Sequence, residues 1–155
     1  MKGLIKTTDE LHDFALEIDF LLTCVFKSKN KSLDDLLEKI SPKSALILKN
    51  VLSKNKLAEN NKDLIGKALL AQKNKLNYKI ISITLAFEPS ETTIGNIYSW
   101  VMEKLGTEYI LDIDIDKTIM AGAIISFNGS YKDFTVKKNL EEVFADKNVI
   151  SKLIQ

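Results

Sequence analysis

The stretch Ala121–Val136, AGAIISFNGSYKDFTV, specifies a β-hairpin. A strand-like run from Ala123 to Phe127 meets a second run from Ser130, and only Asn128 and Gly129 lie between them. An Asn-Gly pair supplies the positive φ angles of a type I′ turn, whose twist suits the strands it joins. Counting back from that turn places Ile125 opposite Lys132 and Ala123 opposite Phe134. Gly122, just ahead of the first strand, has no side chain, so a helix or a neighbouring backbone can approach closely there.

The same two-residue period recurs upstream of the hairpin. KIISITLAF, Lys79 to Phe87, places Ile81, Ile83, Leu85 and Phe87 on one face and is rich in β-branched residues, which suit strands. Pro89 ends it. Ser90 then caps a helix whose Ile94, Ile97, Tyr98, Val101, Met102 and Leu105 form one stripe, and Gly106 is the expected stop. YILDIDID follows, with Tyr109, Leu111, Ile113 and Ile115 alternating against Ile110, Asp112, Asp114 and Asp116. Past the hairpin a terminal helix is built on Leu140, Val143 and Phe144. The second half thus reads β-α-β-β-β-α, with its first two strands parallel across a helical crossover.

Before Asn77 the period is helical. Thr7 and Glu10 are spaced as a capping box. Behind them Leu11, Phe14, Ala15, Ile18, Leu21, Leu22 and Val25 form a single stripe. Ser32 can cap a short helix holding Leu33, Leu36, Leu37 and Ile40. Ser41-Pro42 is a cap-then-proline start for another, with Ala45, Leu46, Leu48, Val51 and Leu52. A last helix is expected from about Asn61 to Leu76. The fold class is therefore α+β: a helical bundle over residues 1–78, then an α/β domain with a mixed sheet over 79–155.

At 155 residues the chain can bury a real core. No segment approaches the ~18–20 apolar residues of a membrane span, and the start reads as neither a signal nor a transit peptide. With one cysteine, Cys24, there is no internal disulfide, and a reducing cytoplasm is the simplest compartment. All 22 basic residues are lysine. The absence of arginine removes the bidentate fork that phosphate and guanine recognition exploits. Residues 27–79 are basic and residues 80–135 acidic. The lysines interleave with apolar residues on short helices, which favours a solvated face over nucleic-acid binding.

Chemistry-bearing motifs are scarce. Asp112, Asp114 and Asp116 alternate along one strand and could hold a divalent metal for phosphoryl transfer. No phosphate loop or second acidic or histidine cluster accompanies them, so a solvent-facing strand edge, where charges discourage aggregation, is the favoured reading. His12 has no nucleophile in a recognisable setting, and Cys24 sits near an apolar stripe. Trp100 is either a core edge or a partner contact. No Walker loop or dinucleotide fingerprint is present, and no cofactor is expected. The N-terminal helices do carry more apolar positions than a small bundle needs: Leu11, Phe14, Ile18 and Leu21 on one stripe, Phe20 and Phe26 off it. Such a surplus suits an amphipathic partner helix.

The order of elements, the DIDIDKTIMAG strand exit and KDFTVKKNLEEVF together resemble the delta subunit family of F-type ATP synthase. The family's C-terminal signature is an acid, an apolar-Gly-Gly, a strand, Asp-x-Ser and a basic-to-leucine helix. Asp116 matches the acid, Ile119 and Met120 the apolar approach, and Gly122 the second glycine. Asp133 matches the later aspartate, Lys138 the basic position and Leu140 the leucine, while Asn128 and Gly129 form the intervening turn. Ala121 stands for the first glycine, Thr135 for the serine, and the helical part is shorter than the family's six-helix domain. The resemblance implies a non-catalytic stator subunit that holds the catalytic head against the membrane sector. It further implies that Leu11, Phe14, Ile18 and Leu21 grip the N-terminal helix of the alpha subunit. The C-terminal domain would meet the C-terminal region of the b subunit, at the cytoplasmic face of a bacterial inner membrane, without membrane insertion. The alternatives are a V- or A-type peripheral-stalk E-like subunit and a small metal-dependent phosphoryl-transfer enzyme.

Overall fold

A computed structural model describes residues 4–27, 33–54 and 62–145. The chain divides into two compact units, Met1–Tyr78 and Lys79–Gln155. The expected start points at Ser32 and Asn61 lie outside the described residues.

The first unit contains α1 (Thr8–Lys27), α2 (Leu33–Leu37), α3 (Pro42–Lys54) and α4 (Lys62–Lys73). Thr7 caps α1: its hydroxyl accepts from the Glu10 N–H at 3.3 Å. The reciprocal half of the box is shifted by one residue, because the Glu10 carboxylate accepts from Lys6 N at 2.7 Å and pairs with Lys43 on α3. Ser41 caps α3 through Ser44 N and is itself held by the Glu17 carboxylate on α1. These bonds satisfy helix-end donors that have no partner within their own helix. The core is built from Phe14, Ile18, Leu21 and Val25 on α1, Leu36 and Leu37 on α2, Ile47 and Leu48 on α3, and Ile65 and Leu69 on α4. Ile40 lies past the end of α2 but still packs against this core.

The second unit runs β1 (Lys79–Leu85), α5 (Glu91–Lys104), β2 (Tyr109–Ile115), β3 (Ala123–Phe127), β4 (Ser130–Asp133) and α6 (Val136–Ala145). This is the β-α-β-β-β-α order expected from the sequence. The sheet order is β2-β1-β3-β4, with β1 and β2 parallel and the other pairs antiparallel. Ser90 caps α5 by accepting from Thr93 N, and Gly106 takes φ 107° just past the helix end. Asn128 (φ 48°) and Gly129 (φ 75°) make the hairpin turn, and Ile125 pairs with Lys132 as the turn chemistry dictates.

One sheet face packs on α5. Ile81, Ile83, Leu85 and Leu111 are buried there with Tyr98 and Val101, and Tyr109 meets Phe127 edge-on at 5.4 Å between ring centroids. The opposite face carries the alternate residues Ser82, Thr84, Asp112, Asp114 and Ser126, which pair across neighbouring strands, together with Ile80, the buried Ile110 and Ile124. That segregation follows from the two-residue period of a strand.

Candidate functional site

In the first unit α1 and α4 run side by side, and two contacts and a cavity mark their seam. Phe26 lies over Gly66, whose missing side chain makes room: an added Cβ would stand 2.9 Å from the ring's Cζ. Lys73 Nζ donates to both Asp19 carboxylate oxygens at 2.7 and 2.8 Å. Beyond that pair the seam opens into a cavity of about 520 Å³, lined by Thr8, Asp9, Leu11, His12, Ala15, Lys73 and Leu76. Leu16, one turn from His12 and three residues from Asp19, is exposed, as are Phe20 and Phe26. Leu70, between Gly66 and Lys73 on α4, is exposed too. One ion pair thus crosses the α1–α4 groove, with Phe26 packed over Gly66, while Leu16, Phe20 and Leu70 are exposed apolar residues on the same two helices.

The structure separates these residues from those assigned to partner binding in the sequence. Phe14, Ile18 and Leu21 are each at most 2% exposed, inside the bundle, and Leu11 is partly buried against it. A partner could reach the first three only by opening the core. The stripe at helical spacing is what the bundle uses to close on itself. The exposed residues are the apolar ones out of phase with it, Phe20 and Phe26, together with Leu16 and Leu70. For those two, being out of phase with a buried stripe was the available signal.

In the second unit the signature positions are structural joints. Asp116 Oδ1 accepts from Thr118 Oγ1 at 2.6 Å and Thr118 N at 2.8 Å, closing the turn that ends β2. Asp133 Oδ1 accepts from Thr135 N at 2.8 Å and opens α6 in the same way. Each is an Asp-x-Thr turn in which a carboxylate holds the backbone two residues on. The threonine hydroxyl, then its N–H, holds the Asp116 carboxyl below the usual carboxylate range; for Asp133 the Thr135 backbone N–H is the main cause. Gly122 sits at φ 104° against the Phe134 carbonyl and Thr135. Around these joints Met120, Phe134, Val136 and Leu140 are exposed, with Phe87 and Ile115 at the nearby strand ends. The ladder bonds Asp116 N to Leu85 O, Phe134 N to Ala123 O and Val136 N to Ala121 O bring these segments together.

The aspartate row is less concentrated than its spelling suggests. Asp112 and Asp114 share the sheet face away from α5, where Ser82 Oγ donates to Asp112 at 3.4 Å, while Asp116 is engaged by Thr118. Among the described residues no group of three or more His, Cys, Asp or Glu is placed to hold a metal ion. His12 is exposed on the cavity rim, Cys24 is partly buried against the helical core, and Trp100 is 57% exposed on α5. No described helix is long and apolar enough to cross a membrane.

Comparison with known proteins bears on both units at once. Residues 19–145 match the family model described as ATP synthase delta (OSCP) subunit. The ATP synthase delta subunits of Thermotoga petrophila and Thermotoga maritima are each 26% identical over 125 residues, covering 79% of this chain. The chain spans 63% of the length of those relatives. The family match begins inside α1 and reaches the end of α6, taking in Phe20, Phe26, Leu70 and every signature joint. The chain belongs to the ATP synthase delta (OSCP) subunit family, one of structural rather than catalytic subunits.

Proposed function

We propose that this protein is a peripheral-stalk adaptor that links the catalytic head of an F-type ATP synthase to the membrane-anchored b subunits. The observation that carries the reading is that each unit leaves apolar side chains exposed inside the span matched by the family, Phe20, Phe26 and Leu70 in the first and Met120, Phe134, Val136 and Leu140 in the second. A stator has to resist the torque of the central stalk, and for that it needs two binding surfaces on folded supports. The helical unit would offer its exposed apolar side chains on α1 and α4, Leu16, Phe20, Phe26 and Leu70, to the N-terminal helix of the alpha subunit. An amphipathic helix meets such apolar side chains with anchors at i, i+3, i+4 and i+7 spacing. The second unit offers the hairpin end and α6 to the C-terminal region of b. In this role the protein works at the cytoplasmic face of a bacterial inner membrane and supports proton-driven ATP synthesis without entering the bilayer.

Calorimetric titration of the full chain tests the two contacts separately. A peptide from the N-terminus of the cognate alpha subunit should bind, and Phe20→Asp or Leu70→Asp should abolish the heat while circular dichroism stays unchanged. A C-terminal segment of b should bind the same variants normally. If neither segment binds at high micromolar concentration, the adaptor reading fails.

A further inference from the structure

We infer that Gly122 and Thr135 form a fixed joint that sets the direction in which α6 leaves the sheet, and so decides how its apolar face meets the stalk. The second clause rests on the adaptor reading above; the first does not. Only Phe134 and Thr135 separate the last residue of β4, Asp133, from the first of α6, Val136. That short connection is tied from several directions. Phe134 N donates to Ala123 O and Val136 N to Ala121 O, both at 2.9 Å, which carries the strand pairing up to the helix. The Asp133 carboxylate holds Thr135 N at 2.8 Å. Thr135 is itself buried; its hydroxyl accepts from Lys138 N at 3.4 Å and its carbonyl from Asn139 N at 3.2 Å, so it caps the helix it introduces.

Gly122 closes the joint from the other side. At φ 104° it adopts a backbone conformation that side-chain-bearing residues avoid. A Cβ placed there would stand 2.8 Å from Thr135 Cα and also collide with the Phe134 carbonyl oxygen. Both are backbone atoms, so no rotamer relieves the clash, and a larger residue has to push the α6 connection away from β3. Val136 and Leu140 are exposed, so neither anchors α6 in the core. The ties at its root are therefore what holds the start of α6. A helix held in advance spares a partner the entropy of ordering it, which is why a joint matters for binding.

The test uses the full chain with Cys24→Ser and spin labels at Asn96→Cys on α5 and Glu141→Cys on α6. Electron–electron resonance should give one narrow distance distribution for this parent protein. Thr135→Val and Gly122→Ala should broaden or shift it, and Thr135→Ser should restore it. In parallel, titration with the b-subunit segment should show Thr135→Val weakening binding by about tenfold or more, with Thr135→Ser near the parent value. Should Gly122→Ala prevent folding, the Thr135 pair carries the test alone. A distribution unchanged in Thr135→Val overturns the joint. A responsive distribution in a parent protein that binds no b segment keeps the joint and overturns its connection to the stalk.

Discussion

The two units solve the same problem, closing one apolar face, with codes of different sharpness. In the sheet unit each residue has two options, facing α5 or facing away, and one turn fixes the choice for a whole strand. Ile81, Ile83 and Leu85 therefore go inward together, and Ser82 and Thr84 go outward. A helix offers a continuous range of directions, and whether a flank is core or surface depends on which neighbour lies beside it. On α1 the most regular stripe, Phe14, Ile18, Leu21 and Val25, is fully enclosed. Leu16 and Phe20, which look like noise in the same pattern, are what a partner can touch. In a small bundle the clearest apolar stripe is the least available for binding.

The widest separation this contrast allows is between Ile18 and Phe20. Ile18 is fully enclosed, so Ile18→Asp places an unpaired carboxylate in the helical core and should cost about 3–5 kcal/mol, enough to melt the first unit. Phe20→Asp changes a residue that is already 45% exposed and should stay within about 0.5 kcal/mol of the parent protein. Urea unfolding followed by circular dichroism checks both. A stable Ile18→Asp variant that had lost only partner binding would return the stripe to the surface and reverse the comparison.

A smaller effect probes the sheet code. Gly129→Val should cost about 1–2 kcal/mol, because a β-branched residue is forced into the left-handed region at φ 75°. Nothing lies within 4 Å of a Cβ built at that position, so the penalty is conformational and not steric. Gly129→Asn should recover most of it, since asparagine tolerates positive φ, as its neighbour Asn128 does here. Equal thermal midpoints for the valine and asparagine variants would show that turn conformation does not hold the register.

How much was legible follows from the same distinction. The sheet could be read down to the Ile125–Lys132 pair, because Asn-Gly leaves one register and alternation leaves one face. The parallel pairing of β1 and β2 came from the helical crossover between them. In the helical half the existence of the elements was readable, but the groove was not. It depends on α1 meeting α4 at Asp19–Lys73 and Phe26–Gly66, contacts between residues some 40 to 54 positions apart that no local period encodes. The signature acids were legible as positions but not as Asp-x-Thr turns, because such a role appears only when the carboxylate is seen on the backbone two residues on.

The smallest expected effect belongs to those turns and bears on the sheet unit. Asp116 and Asp133 are both pulled below their ordinary range by threonine donors that favour the charged form. Their folded values lie under the unfolded ones, so near these values the unfolded chain binds more protons than the native one. Their contribution is complete above the unfolded value of about 4 and is lost as pH falls through the lower folded values. Both carboxylates are accessible to solvent, which screens them and keeps the effect small. Trp100 belongs to the second unit, so its fluorescence can follow that unit's unfolding. Between about pH 5 and pH 3 the denaturant midpoint should fall, and the Asp116→Asn, Asp133→Asn double variant should start lower and fall less. The double variant matters because only the difference between the two profiles isolates the turns from the rest of the chain. Parallel profiles would mean that the turns hold their threonines without drawing on the carboxylate charge. The joint at α6 would then owe nothing to the charge of Asp133.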